Sequence, residues 1–158
     1  MGCDIHLVTQ IQDPEGQWRT FNVYRDCPRC VLNTPNLPHR RSRCWECDDT
    51  GLVSGYGTRH YAIFSVLADV RNDDIEPISS PRGLPEDFTL HEDYYHGPNR
   101  TIWLGEHSFS WLLLSELEAY DWVAIDQADS PFVENFMSAL KALNVPSDQL
   151  RIVFGFDS

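Results

Sequence analysis

Positive charge is what this sequence has least of. Twelve lysine and arginine side chains stand against 24 acidic ones, for a formal charge of −12, which argues against a general double-stranded nucleic-acid-binding surface. Lys141 is the sole lysine; every other base is arginine. That bias fits either bidentate binding of phosphate and carboxylate groups or a GC-rich genome. No run approaches the roughly 18 consecutive apolar residues of a membrane span. The opening MGCDIHLVTQ also lacks the basic-then-apolar pattern of a leader. A soluble, cytoplasmic protein with no membrane partner is therefore expected. Internal repeats, low-complexity tracts and heptads are missing too, so no solenoid or coiled coil is in view.

What remains is a chain of 158 residues, 42% hydrophobic and 12% aromatic, enough to build the core of a single domain over 1–158. The charge is uneven. Residues 1–83 carry 11 acids and 9 bases, whereas residues 84–158 carry 13 acids and 3 bases, so the second half presents an acidic surface.

Periodicity then divides the chain. Cys3, Ile5, Leu7 and Thr9 alternate with Asp4, His6, Val8 and Gln10, the pattern of a strand. Asp13-Pro14-Glu15-Gly16 has the residue order of a type I turn, and QWRTFNVYR alternates again, so residues 2–12 and 17–25 predict an antiparallel hairpin. Tyr61, Phe64, Leu67 and Ala68 have helical spacing and predict a first helix over 60–71. Residues 72–105 read as a long ordered loop. Ser108 or Ser110 can cap a second helix over 110–122, and Ser130-Pro131 opens a third over 131–143. LRIVFGF closes the chain as a strand. The expected fold is α+β: a mostly antiparallel sheet, from the N-terminal hairpin and the C-terminal strand, packed on one face by about three helices.

Residues 26–55 break every period and hold four of the five cysteines. Cys27-x-x-Cys30 and Cys44-x-x-Cys47 have the spacing at which four thiolates converge on one zinc. Four sulfur ligands close the shell, so the zinc is expected to be structural and to hold an inserted knuckle. Arg25 at its edge, with Arg29, His39, Arg40, Arg41 and Arg43, makes that insertion locally basic against Asp26 and Glu46, which permits either a phosphate-bearing partner such as a nucleic acid or a merely solvated surface. Cys3, on the apolar face, reads as a small buried hydrophobe.

Asp4 and His6 sit two apart on one strand and so share a side. A carboxylate and an imidazole together can hold a divalent metal, form a base with its orienting acid, or simply pin the N-terminus by hydrogen bonding. The GD-x-x-D and GNH runs of a common metallohydrolase site are absent. His107, beside Glu106 at the expected start of the second helix, supplies a candidate third group next to free helix amides. The expected pocket thus lies between the first strand and that helix, lined by Asp4, His6, Arg71, Glu106, His107 and Ser108.

The segments MGCDIH, RHYAIFSVLADVRN, SSPRGLPED, HSFSWLLLSEL with YDW, and VFGFD together resemble a family of largely uncharacterised tailed-bacteriophage proteins. The likeness covers nearly the whole chain outside the cysteine insertion. Phe109 departs from the family's usual HSHSW, which removes a histidine from any two-histidine metal site there. The resemblance implies an accessory protein made inside an infected bacterium, a candidate for countering host defence.

Pattern and resemblance together single out Asp4, His6 and His107 as candidate catalytic groups. Arg59, His60, Arg71, Arg82, Glu106, Ser108, Ser110 and Trp111 are candidate ligand-binding groups. Arginine forks suit phosphate, aromatic rings suit a base, and a carboxylate–imidazole pair suits activation of water. The expected ligand is a nucleotide or another phosphodiester-containing small molecule, either sequestered or hydrolysed with help from a second divalent metal near Asp4 and His6. The competing expectation is an acidic protein-interaction module or nucleic-acid mimic that docks on a host protein.

Overall fold

The computed structural model describes residues 2–21, 24–26, 52–54, 59–88, 104–125 and 132–158. Its frame is a four-stranded antiparallel sheet. Strands β1 (Asp4–Gln12) and β2 (Trp18–Phe21) are the hairpin, closed by a turn in which Gly16 N–H donates to Asp13 O at 2.9 Å. The Asp13 carboxylate fixes the turn further by accepting from the Glu15 and Gln17 amides. The segment expected to continue this hairpin does not. Residues Tyr24–Asp26 form β3, which pairs with β4 (Leu52–Ser54) in a separate two-stranded ladder. Asp26 lies opposite Leu52, so the chain leaves and re-enters the fold at one place. The four cysteines lie outside the described residues, as does most of the expected knuckle.

Helix α1 (Tyr61–Ala68) follows, shorter than expected because Asp69 adopts a left-handed conformation and its N–H caps the Phe64 and Ser65 carbonyls. Ile63, Phe64, Val66, Leu67 and Ala68 are all buried. The helix is therefore covered nearly all round rather than along one stripe.

The second expected helix is corrected by the structure. Residues His107–Leu113 are strand β5, paired antiparallel with β6 (Leu150–Asp157), and only Leu114–Ala119 is helical, as α2. Ser108 and Ser110 thus cap nothing; Glu116 instead accepts from the Leu113 N–H at 2.9 Å. The third expected helix begins as a π-helical turn over Phe132–Met137 and ends as α3 (Ser138–Lys141). Of the expected loop 72–105, residues 72–88 have no regular structure and residues 89–103 lie outside the described residues.

Strand order is β2-β1-β6-β5, so the first and last strands of the chain lie side by side at the centre. The helices cover one face. Phe64 of α1, Leu117 of α2, and Phe132, Phe136 and Leu140 meet Ile5, Leu112, Ile152, Phe154 and Phe156 in the main core. The opposite face carries a smaller cluster of Val8, Val153, Phe88 and Leu104, with Phe109 and Trp111 against it. Both central strands are therefore buried on two sides, which is why β6 reads as a nearly unbroken apolar run.

Candidate functional site

At the end of the sheet where β1 starts and β6 finishes, Asp4 pairs with Asp157 and His6 with Gly155. Antiparallel partners project to the same side, so Asp4, His6 and Asp157 emerge together on the face away from the helices. Asp157 organises the group. One of its oxygens accepts from the Asp4 N–H at 3.1 Å, and the other is 3.0 Å from His6 Nε2. This is a carboxylate–imidazole pair, but the carboxylate is Asp157 and not Asp4. Asp4 instead binds Arg59 in a fork, with Nε and Nη2 at 2.7 and 2.6 Å. That guanidinium holds the Asp4 carboxyl below the usual carboxylate range, with His6 contributing less. A Cβ at Gly2 would meet the Arg59 guanidinium at Nη1, so a larger residue there would shift its tip.

Alongside lies a second group on the helix side. The Tyr61 hydroxyl accepts from the Cys3 amide at 3.4 Å, and Arg71 lies over the Tyr61 ring at 6.0 Å from its centroid. Burial pushes the Cys3 thiol upward, and a hydrogen bond from Arg71 partly offsets this. Cys3 is thus the buried thiol expected of it, 1% exposed. Arg71 stands at φ +54° just past the end of α1. His60 caps α1 through its backbone only, and its Nδ1 is buried with no partner among the described residues.

The remaining expected residues go elsewhere. His107 lies opposite Phe156 and packs its ring 6.2 Å from that ring, on the helix-covered face rather than beside Asp4 and His6. Its Nδ1 is 3.0 Å from Ser108 Oγ. Glu106 donates its amide to Phe156 O at 2.6 Å, so no helix start offers free amides there. Ser108, at φ +53°, falls within a bulge between His107 and Ser110. The pocket expected between the first strand and a second-helix N-terminus therefore does not form, because pairing with β6 converts that segment into an edge strand. Among the described residues, no three of His, Cys, Asp and Glu are grouped to hold a metal ion.

Arg82, Ser110 and Trp111 form a third, separate cluster. Arg82 forks onto Glu116 at 3.0 and 2.6 Å, reaches Trp111 O, and lies 4.9 Å from the centroid of the Trp111 ring. Its own amide donates to Ser110 Oγ at 3.1 Å. This clamp ties the segment before Gly83 to β5 and α2.

Two residues escaped sequence reasoning. Asp157 could have been found by pairing the first and last strands, because Gly155 and Asp157 alternate just as Asp4 and His6 do. Arg151 sits inside an apolar run with nothing local to mark it. No helix among the described residues is long and apolar enough to cross a membrane. Comparison with family models, curated proteins and solved structures finds no match, so the functional reading rests on the chemistry of these clusters.

Proposed function

We propose that the chain binds a nucleotide-like, phosphate-bearing small molecule at the end of the sheet where Arg59, His60, Tyr61, Arg71, His6 and Asp157 gather. The observation that carries this reading is that the sheet's end brings Arg59, forked onto Asp4, and the Asp157-bound His6 on one face close to Tyr61 and Arg71 on the other, so that a ligand there would take the place of Asp4 on the Arg59 fork. Guanidinium forks match phosphate oxygens, and the tyrosine ring offers a face for a base. His60 Nδ1, buried and without a partner among the described residues, adds a polar atom beside this site. In a carboxylate–imidazole pair the acid fixes one ring nitrogen and the other takes the proton. Hydrolysis, where it occurs, is thus assigned to His6 oriented by Asp157. With the resemblance to tailed-phage proteins, this makes the chain an accessory protein that withdraws a nucleotide signal from host defence.

A nucleotide panel screened by thermal shift on wild type and Arg71→Ala tests the reading. At least one nucleotide should raise the melting temperature of the wild type and do so much less in the variant. Equal shifts in both proteins would place the ligand elsewhere, and no shift with any nucleotide would favour the acidic interaction module. Nucleotide recovered intact after denaturation would mark a sequestering protein. Product that disappears with His6→Asn, while affinity is kept, would mark an enzyme.

We propose in addition, from cysteine spacing alone, that Cys27, Cys30, Cys44 and Cys47 hold one structural zinc.

A further inference from the structure

The face of the sheet away from the helices holds a buried cation that the proposed site does not use. The Arg151 side chain is 5% exposed. Its Nε donates to Gln10 Oε1 at 2.7 Å and its Nη2 to Asp87 Oδ1 at 2.9 Å. Its guanidinium carbon stands 4.2 Å from the centroid of the Trp18 ring and 5.9 Å from that of Trp111. Gln10 and Asp87 are its only acceptors among the described residues, and Nη1 has none there.

Buried guanidinium donors need acceptors, and a buried charge seldom stabilises a sheet better than an apolar side chain of similar size. The counter-ion is also unusual. Asp87 belongs to an irregular segment and its side chain is 55% exposed, so it can turn out to solvent while Arg151 cannot. The neighbouring cation, Arg82, is already forked onto Glu116. Among the described residues, Asp87 is therefore the one acid that balances the charge of Arg151.

We propose that Arg151 and Gln10, walled by Trp18 and Trp111, form an anion subsite for a phosphodiester-type monoanion whose place Asp87 holds in the empty protein. Charge selects a monoanion over a dianion. A singly charged ligand replaces Asp87 one for one, whereas a phosphate dianion would leave an uncompensated charge beside a buried face. Because Nε stays on Gln10, the edge left for two oxygens of the ligand is Nη1 and Nη2. The subsite is distinct from the site at the sheet's end: Gln10 is four residues along β1 from His6, roughly 13 Å at strand rise.

The test is an NMR titration of the isotope-labelled full chain with dimethyl phosphate, following the indole N–H signals of Trp18 and Trp111 and the Arg151 Nε–H. Saturable shifts at these three groups are expected in the wild type. In Asp87→Asn the same shifts should appear at a tenfold or more lower concentration, because the internal competitor has lost its charge. Arg151→Met should abolish them, and the comparison of wild type with Asp87→Asn decides the matter even if that variant fails to fold. Equal affinity in wild type and Asp87→Asn would overturn the proposal, as would tighter binding of acetate or methyl phosphate than of dimethyl phosphate. Shifts confined to His6, Arg59 and Arg71 would also overturn this subsite, while leaving the site at the sheet's end standing.

Discussion

Asp4 and Glu116 occupy different parts of the molecule, yet each is a carboxylate gripped by an arginine fork. For Glu116 the Arg82 hydrogen bonds are the main cause of a lowered pKa, with the Leu113 amide assisting; for Asp4 it is Arg59. A carboxylate whose folded pKa lies below its unfolded value stabilises fully above the unfolded range near 4, and that contribution is lost as pH falls through the folded value. Urea midpoints should therefore drop on going from pH 7 to about pH 3, and the double variant Asp4→Asn, Glu116→Gln should show a shallower drop. A slope identical to wild type would mean the forks contribute nothing. At this scale the sequence was half legible. Alternation placed Asp4 and His6 on one side of a strand, as found. The partner of His6, however, lies 151 residues away, and no local pattern names a residue so distant.

The element read wrongly was the one where two periods overlap. In HSFSWLLLSELEAY, Trp111, Leu114 and Leu117 match a helix, while Ser110, Leu112 and Leu114 match a strand equally well. Pairing with β6 decides between them, and such non-local pairing lies beyond any window of sequence. Gly155 lies opposite the bulge that interrupts that pairing, where the chain at Leu104 and Phe109 approaches β6 closely. A Cβ there would stand 2.2 Å from Leu104 O and 2.6 Å from the Phe109 ring. A backbone carbonyl cannot yield as a side-chain tip can, so Gly155→Ala should destabilise the fold by about 1–3 kcal/mol, read as a fall in the denaturant midpoint at unchanged slope. A midpoint equal to wild type would contradict the close approach of the segment at Leu104 to β6. By contrast, β1, β2 and β6 were legible because each has one strong signal: alternation, a turn residue set, or an apolar run bounded by polar residues.

For the whole molecule, the α+β class followed from the order of elements, whereas the two-sided core did not. Val8 was assigned with Asp4 and His6 to the polar side, yet it is 1% exposed beneath Phe88 and Leu104. A segment without periodicity covers that face, and its placement depends on side-chain contacts such as Arg82 with Glu116. Because Asp26 and Leu52 are partners in one ladder, the cysteine segment is expected to behave as an insertion. Treatment with a chelator under reducing conditions, which would remove the proposed zinc, should leave the far-UV signature of the sheet and the melting of the main core in place. Unfolding of the whole chain under that treatment would contradict an insertion that holds the proposed zinc independently of the core. The claim on which the account turns is that the guanidinium groups at the sheet's end hold a phosphate-bearing ligand. Calorimetric titration of the best-binding nucleotide into wild type and into Arg59→Ala, Arg71→Ala tests it most directly. Affinity should fall about 100-fold or more, near 2.7 kcal/mol, with the fold intact; equal affinity in the two proteins would show that these guanidinium groups do not hold the ligand.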